Sequence, residues 1–173
     1  MTLPVAEVVV PGSGLWCLFA SLALAGRAAD LVSTYIATPN LALEGNPLAR
    51  RLGWRWGIPL NALASLGIGC FPSLAIAVAT TSALVAARNF QNAWIMRSMG
   101  EWHYRLWMSE RLDHTPRGLP ALCFLAESLL TLVPGLALLV FAESSKVAQA
   151  VGMGITAYAT AVALFTLMAL WRR

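Results

Sequence analysis

Between its polar interruptions the chain falls into four long apolar runs, residues 15–37, 58–87, 119–142 and 147–170. A hydrocarbon core about 30 Å thick is crossed by roughly 20 apolar helical residues, so each run predicts a transmembrane helix. The expected fold is all-α, a polytopic membrane protein with four transmembrane helices plus short interfacial helices, built as a single four-helix membrane domain over residues 1–173. The first run imitates a secretory signal, down to an Ala23-Leu24-Ala25 triplet. The stretch before it carries no Lys or Arg where a signal peptide needs positive charge, so it is read as a retained span.

The polar segments between the runs have patterns of their own. Over residues 89–111 there is no proline, and Ile95, Met99, Trp102 and Leu106 follow +4, +3, +4 spacing opposite Arg97, Glu101 and Arg105. That spacing predicts an amphipathic helix lying on the membrane, with Trp94, Trp102, Tyr104 and Trp107 at headgroup level. The alternative is that the second span continues outward as one long helix. Between the first two runs, Asn46 is a good N-cap and Pro47 suits the first helical position, predicting a short helix that Gly57 ends.

Within the second run, Ala75, Ala79, Ala83 and Ala87 recur every four residues. In lipid such a smooth face lets helices approach closely, because van der Waals contact replaces the hydrophobic drive available in water. Pro72, Pro120 and Pro134 can start or kink helices.

Composition agrees with membrane residence: 58% of the residues are hydrophobic and 12% charged, against about 25% charged in a soluble domain. A water-soluble enzyme and a nucleic-acid-binding module are thereby excluded. The net charge of +4 reflects arginines that flank spans and face anionic lipid. Cys17, Cys70 and Cys123 stand alone in apolar runs and His103 and His114 in a polar one, so no metal-clip spacing or paired haem ligation is written in the chain. Metal and cofactor content are left unknown.

Orientation follows from the basic residues. Arg88, Arg97, Arg105, Arg111 and Arg117, with Arg172 and Arg173, outnumber Arg50, Arg51, Arg55 and Lys146. A four-span chain then has both termini cytoplasmic in the cell (inner) membrane, although the Arg50/Arg51/Arg55 cluster pulls the other way.

The candidate site is written into the first run, where Arg27, Asp30 and Thr34 share one helix face. Arg27 falls ~18 Å along the span at 1.5 Å per residue, near mid-membrane, where a charge costs about 2.5–3.5 kcal/mol and demands a partner. If residue 119 starts on the same side as residue 15, Glu127 lies ~12 Å deep, and an Arg27–Glu127 pair shared with Asp30 is expected. Asp30 and Thr34 lie toward the end where the chain passes Glu44 and Asn46 and re-enters near Asn61. These seven residues, Arg27, Asp30, Thr34, Glu44, Asn46, Asn61 and Glu127, form either an oxygen-rich ligand site suited to a hard cation or headgroup, or a closed network fixing helix register.

The pattern D-x-x-x-T followed by E-x-N-P, present as Asp30, Thr34, Glu44, Asn46 and Pro47, resembles a group of small bacterial and archaeal membrane proteins catalogued as a domain of unknown function. The resemblance covers about a quarter of the chain. It implies a shared four-helix module with these positions at its site, and no activity.

Three functions compete. An accessory or scaffold protein of a larger membrane assembly fits the small size, the alanine face and the aromatic segment; its partners are the bilayer and other membrane subunits or copies of itself. Ion or small polar ligand binding or transport through Asp30, Glu44 and Glu127 is the alternative. An intramembrane lipid- or peptide-processing enzyme is the third, but HExxH and GxSxG are absent, and Arg27 would oppose a shared proton between carboxylates.

Overall fold

The structure is a computed structural model that describes residues 8–116 and 118–171, without the side chains of 169–171. Residues 1–7 and Arg117, Arg172 and Arg173, used above for the signal and orientation arguments, lie outside the described residues. Among the described residues there are six helices: α1 (Gly14–Ala37), α2 (Pro47–Ile68), α3 (Pro72–Met99), α4 (Glu101–Asp113), α5 (Gly118–Phe141) and α6 (Lys146–Trp171). The helices α1, α3, α5 and α6 are long and apolar enough to cross a membrane.

Three of the four expected spans coincide with α1, α5 and α6 to within about one residue at most ends. The second does not. The apolar run 58–87 is cut by a turn at Gly69 to Phe71, and Pro72 opens α3. Proline has no amide hydrogen to continue a helix and suits its first turn. Gly69 lies so close to Ala20 that a Cβ would stand 2.7 Å from the alanine methyl, so this reversal is held against α1. Val9 N–H also donates to Cys70 O at 2.8 Å.

Contacts along the helices give their directions. Trp54 donates to Pro39 O, Asn61 accepts from Arg27, and Trp16 donates to Leu66 O, so α2 runs back antiparallel to α1 over its length. Gly26 against Ala79, Arg27 to Ser82 and Asn89 to Thr34 advance together, which makes α3 parallel to α1. Ala150 joins Phe19, Ala23 and Ala75 in one core cluster, so α6 starts at the Gly14 end of α1, and α5 runs opposite to it. The helices therefore pack as a row, α2, α1, α3, α6, α5. Five of them traverse the bundle, and the start of α1 and the finish of α6 lie at opposite ends.

The contacts in this row are made by small residues, as expected where lipid supplies no hydrophobic drive. A Cβ on Gly26 would stand 2.8 Å from Ala79 Cα, and one on Gly154 2.5 Å from Ala77 O. The alanine face is used only in part: Ala75 is buried, but Ala83 and Ala87 are exposed. The buried positions of α3 are Pro72, Ala75, Ile76, Ala77, Ser82, Ala86 and Ala93; from Ala75 onward, Ser82, Ala86 and Ala93 follow at steps of seven and four, which keep to one face of a 3.6-residue helix.

Residues 89–111 do not form one interfacial helix. Their first part is the end of α3, which continues to Met99, and the rest belongs to α4. The break falls at Gly100, whose φ of 77° suits glycine. In α4, Tyr104 is the buried residue, and burial pushes its phenol above the usual value. Asn46 caps α2 as expected, accepting from Leu48 N–H at 3.0 Å, with Pro47 at the first position. That helix does not end at Gly57, however. It bends at Gly53, with φ 61°, and continues to Ile68.

Candidate functional site

Arg27 is the node of a polar network joining three helices. Its Nε donates to Asn61 Oδ1 of α2 at 2.8 Å, and its Nη1 donates to Asp30 Oδ2 at 2.7 Å and to Ser82 Oγ of α3 at 3.3 Å. The arginine side chain is 31% exposed and the aspartate 14%. Asn61 is itself oriented by donating from Nδ2 to Gly57 O at 2.7 Å, which leaves its oxygen facing Arg27.

One turn further, Asn89 of α3 donates from Nδ2 to both Ser33 Oγ and Thr34 Oγ1 at 3.1 Å. Ser33 donates onward to Asp30 O at 2.8 Å. Glu44, in the connection after α1, acts on Asp30 through space. Its Oε1 accepts from Asn46 N–H at 2.8 Å. The structure thus gathers Arg27, Asp30, Thr34 and Asn61, with Glu44 beside them, while Asn46 serves as a helix cap.

The expected Arg27–Glu127 pair is not formed. Glu127 meets Arg88 instead, Oε1 to Nη1 at 2.9 Å; the contact lacks hydrogen-bond alignment, so this buried nitrogen is paired by charge alone. Because α2 crosses the bundle, α5 begins at the Ala37 end of α1 rather than the Gly14 end. It packs on α6 and not on α1, and the depth argument for Glu127 loses its premise.

The sequence pattern does not single out Ser33, Ser82, Arg88 or Asn89 as members of this site. Ser82 and Asn89 are seven residues apart, so they lie on one helical face, a signal obscured by the change from apolar to polar composition at Asn89, inside α3. A fourth carboxylate, Glu101, opens α4 and grips the α1–α2 connection. It accepts from Asn40 N–H at 2.8 Å and from Ala42 N–H at 3.1 Å.

Three clefts are found elsewhere. Two adjoin this connection at the Ala37 end, of about 460 Å³ and 500 Å³, and share Pro39, Asn40, Ala42 and Arg105. The third, about 170 Å³, is an apolar groove between α5 and α6 beside Ser128. None of the three is lined by Arg27, Asp30, Glu44 or Asn61. Among the described residues, no three His, Cys, Asp or Glu side chains converge as a metal site.

No family model, curated protein or solved structure matches this chain.

Proposed function

We propose that this chain is an integral membrane accessory protein, acting through contacts with other membrane proteins and with lipid. The observation that carries the reading is the consumption of the Arg27 guanidinium by α1, α2 and α3 together. A ligand or catalytic site keeps donors and charges unspent and turned toward open volume; here they are spent on helix register. The outward face of α5, with Leu122, Leu129, Leu130 and Val133 all more than half exposed, supports a surface given to lipid or to another span. On this reading, the D-x-x-x-T and E-x-N-P pattern of Asp30, Thr34, Glu44, Asn46 and Pro47 encodes the joint between α1 and α2.

The same reading assigns orientation. Arg50, Arg51, Arg55, Arg97, Arg105 and Arg111 belong to segments at the Ala37 end, against Lys146 at the Gly14 end. With five crossings the Arg50/Arg51/Arg55 cluster no longer opposes the other arginines. The positive-inside rule then favours a cytoplasmic Ala37 end, an outer N terminus and a cytoplasmic C terminus in the cell membrane.

Site-specific photocrosslinking from Leu129 and Val133 in native membranes tests the accessory role. The expected result is one discrete adduct with a partner or a second copy; crosslinks to lipid alone would sink it. Asp30→Asn and Glu44→Gln address the ion-binding alternative: a cation-dependent thermal shift in the natural protein, lost in both variants that still fold, would replace the accessory reading.

A further inference from the structure

The larger cleft at the Ala37 end has a chemistry the polar network lacks. It is built from the α1–α2 connection (Pro39 to Ala42), Arg50, Gly53 and Trp54 of α2, and Arg105 of α4, with a volume of about 500 Å³. No carboxylate lines it. Arg50 and Arg105 are exposed, and neither makes an ion pair or a side-chain hydrogen bond with the described residues.

The reason Arg105 is unspent lies in its neighbour. Glu101 stands four residues earlier on the same helix face, the spacing at which a glutamate ordinarily pairs with an arginine. Its two oxygens are instead taken by the Asn40 and Ala42 amides. The cleft thus keeps two unpaired guanidinium groups, Arg50 of α2 and Arg105 of α4, beside a connection whose Asn40 and Ala42 amides are bound by Glu101. Arginine's planar fork matches the oxygens of a phosphate.

The cleft also has an apolar approach at one edge. Trp54 lines it, with its indole N–H given to Pro39 O at 2.7 Å, and its ring meets Tyr35 edge-on at 5.5 Å. Tyr35 is 56% exposed, and Val32, one turn further into the span on the same face, is 52% exposed. A polar cavity with cationic walls therefore opens beside an aromatic pair and then onto a bare apolar helix face. That order, cationic to aromatic to aliphatic, follows the order of a phospholipid from headgroup to acyl chain.

We propose that this cleft is a binding site for an anionic phospholipid, its phosphate held between Arg50 and Arg105 and an acyl chain laid over Tyr35 and Val32. Basic pockets between helices on the cytoplasmic side are the setting in which such headgroups bind. The site goes beyond the accessory reading. It depends on the orientation above only for which leaflet supplies the lipid.

Delipidated full-length protein in neutral detergent is titrated with phosphatidylglycerol, phosphatidylcholine or inorganic phosphate, and bound lipid is counted by native mass spectrometry. Phosphatidylglycerol is expected to bind at least about tenfold more tightly than phosphatidylcholine, and Arg105→Gln to weaken it about fivefold, with Arg50→Gln/Arg105→Gln losing about thirtyfold. Arg111→Gln removes the same charge from α4 outside the cleft and is expected to change binding less than about twofold. Equal binding of the two lipids would overturn the proposal, as would an Arg111→Gln loss matching that of Arg105→Gln. Displacement of the lipid by low millimolar inorganic phosphate would assign the cleft to a soluble phosphate and likewise overturn it. Because the readout is lipid retention by isolated protein, its failure leaves the crosslinking result standing, and the converse also holds.

Discussion

Replacing Arg27 with methionine keeps the length of the apolar stem and removes the charge and every donor. Two hydrogen bonds to neutral groups disappear, to Asn61 at 2.8 Å and to Ser82 at 3.3 Å, at about 1 kcal/mol each, less for the longer one. The larger effect is on Asp30, which is left with a charge inside the bundle. Breaking a buried pair this way costs about 3–5 kcal/mol. The discount here is substantial, because the arginine is 31% exposed and the stranded carboxyl can take up a proton. The expected loss is therefore about 3.5 kcal/mol in all, about 1.5 from the two hydrogen bonds and about 2 from the stranded charge. Arg27→Met/Asp30→Asn removes the stranded charge as well and is expected to regain about 2 kcal/mol of it. Unfolding in mixed micelles titrated with SDS, followed by fluorescence of the seven tryptophans, measures both. A double variant no more stable than Arg27→Met would refute the argument, since it makes the unpaired charge the main cost. So would an Arg27→Met protein within about 0.5 kcal/mol of the natural one.

Close helix contacts predict a sharp contrast among glycines: Gly26→Ala and Gly154→Ala, which drive a methyl into backbone, should each cost about 1–3 kcal/mol. Gly67→Ala, with nothing within 4 Å of its new methyl, should be neutral or stabilising by up to about 1 kcal/mol, read in the same micelle titration. Glu101→Gln removes the charge that the Asn40 and Ala42 amides bind, so hydrogen exchange at those two amides should quicken several-fold while exchange in the middle of α3 is unchanged. With Cys17, Cys70 and Cys123 replaced, a membrane-impermeant maleimide should label Ser144→Cys in intact cells, and Gly45→Cys, in the exposed α1–α2 connection, only after lysis. Labelling of both from one side would contradict five crossings. Difference titration of natural protein against Tyr104→Phe should give a tyrosinate midpoint above about 10, because burial favours the neutral phenol. A midpoint at or below that value would mean that Tyr104 is not buried in solution.

The buried site was partly legible because i, i+3 and i, i+4 spacing survives in any helix. Arg27, Asp30 and Thr34 could be placed on one face before any neighbour was known, and Asn61 and Glu44 could be placed near them because the chain re-enters close to where it leaves. Glu127 could not, since its depth depended on how many crossings came before it. Ser82 and Asn89 were hidden for a different reason. A serine and an asparagine on an alanine-rich helix carry no strong burial cost, and only their position opposite α1 makes them partners.

What the sequence determined by itself was the medium and the local structure: long apolar runs dictate helices in a bilayer, and Asn46-Pro47 dictates where α2 starts. Each is set by free-energy terms that act over one or two turns. The antiparallel placement of α2 along α1, the pairing of Arg88 with Glu127 and the basic cleft were decided only by tertiary structure. The deciding interactions are few: a reversal at Gly69 pressed against Ala20, and an α2 too rich in arginine to read as a span. That helix lies antiparallel along α1 because Asn61 and Leu66 find Arg27 and Trp16 there. Residues so far apart in sequence cannot register their contact in any local pattern.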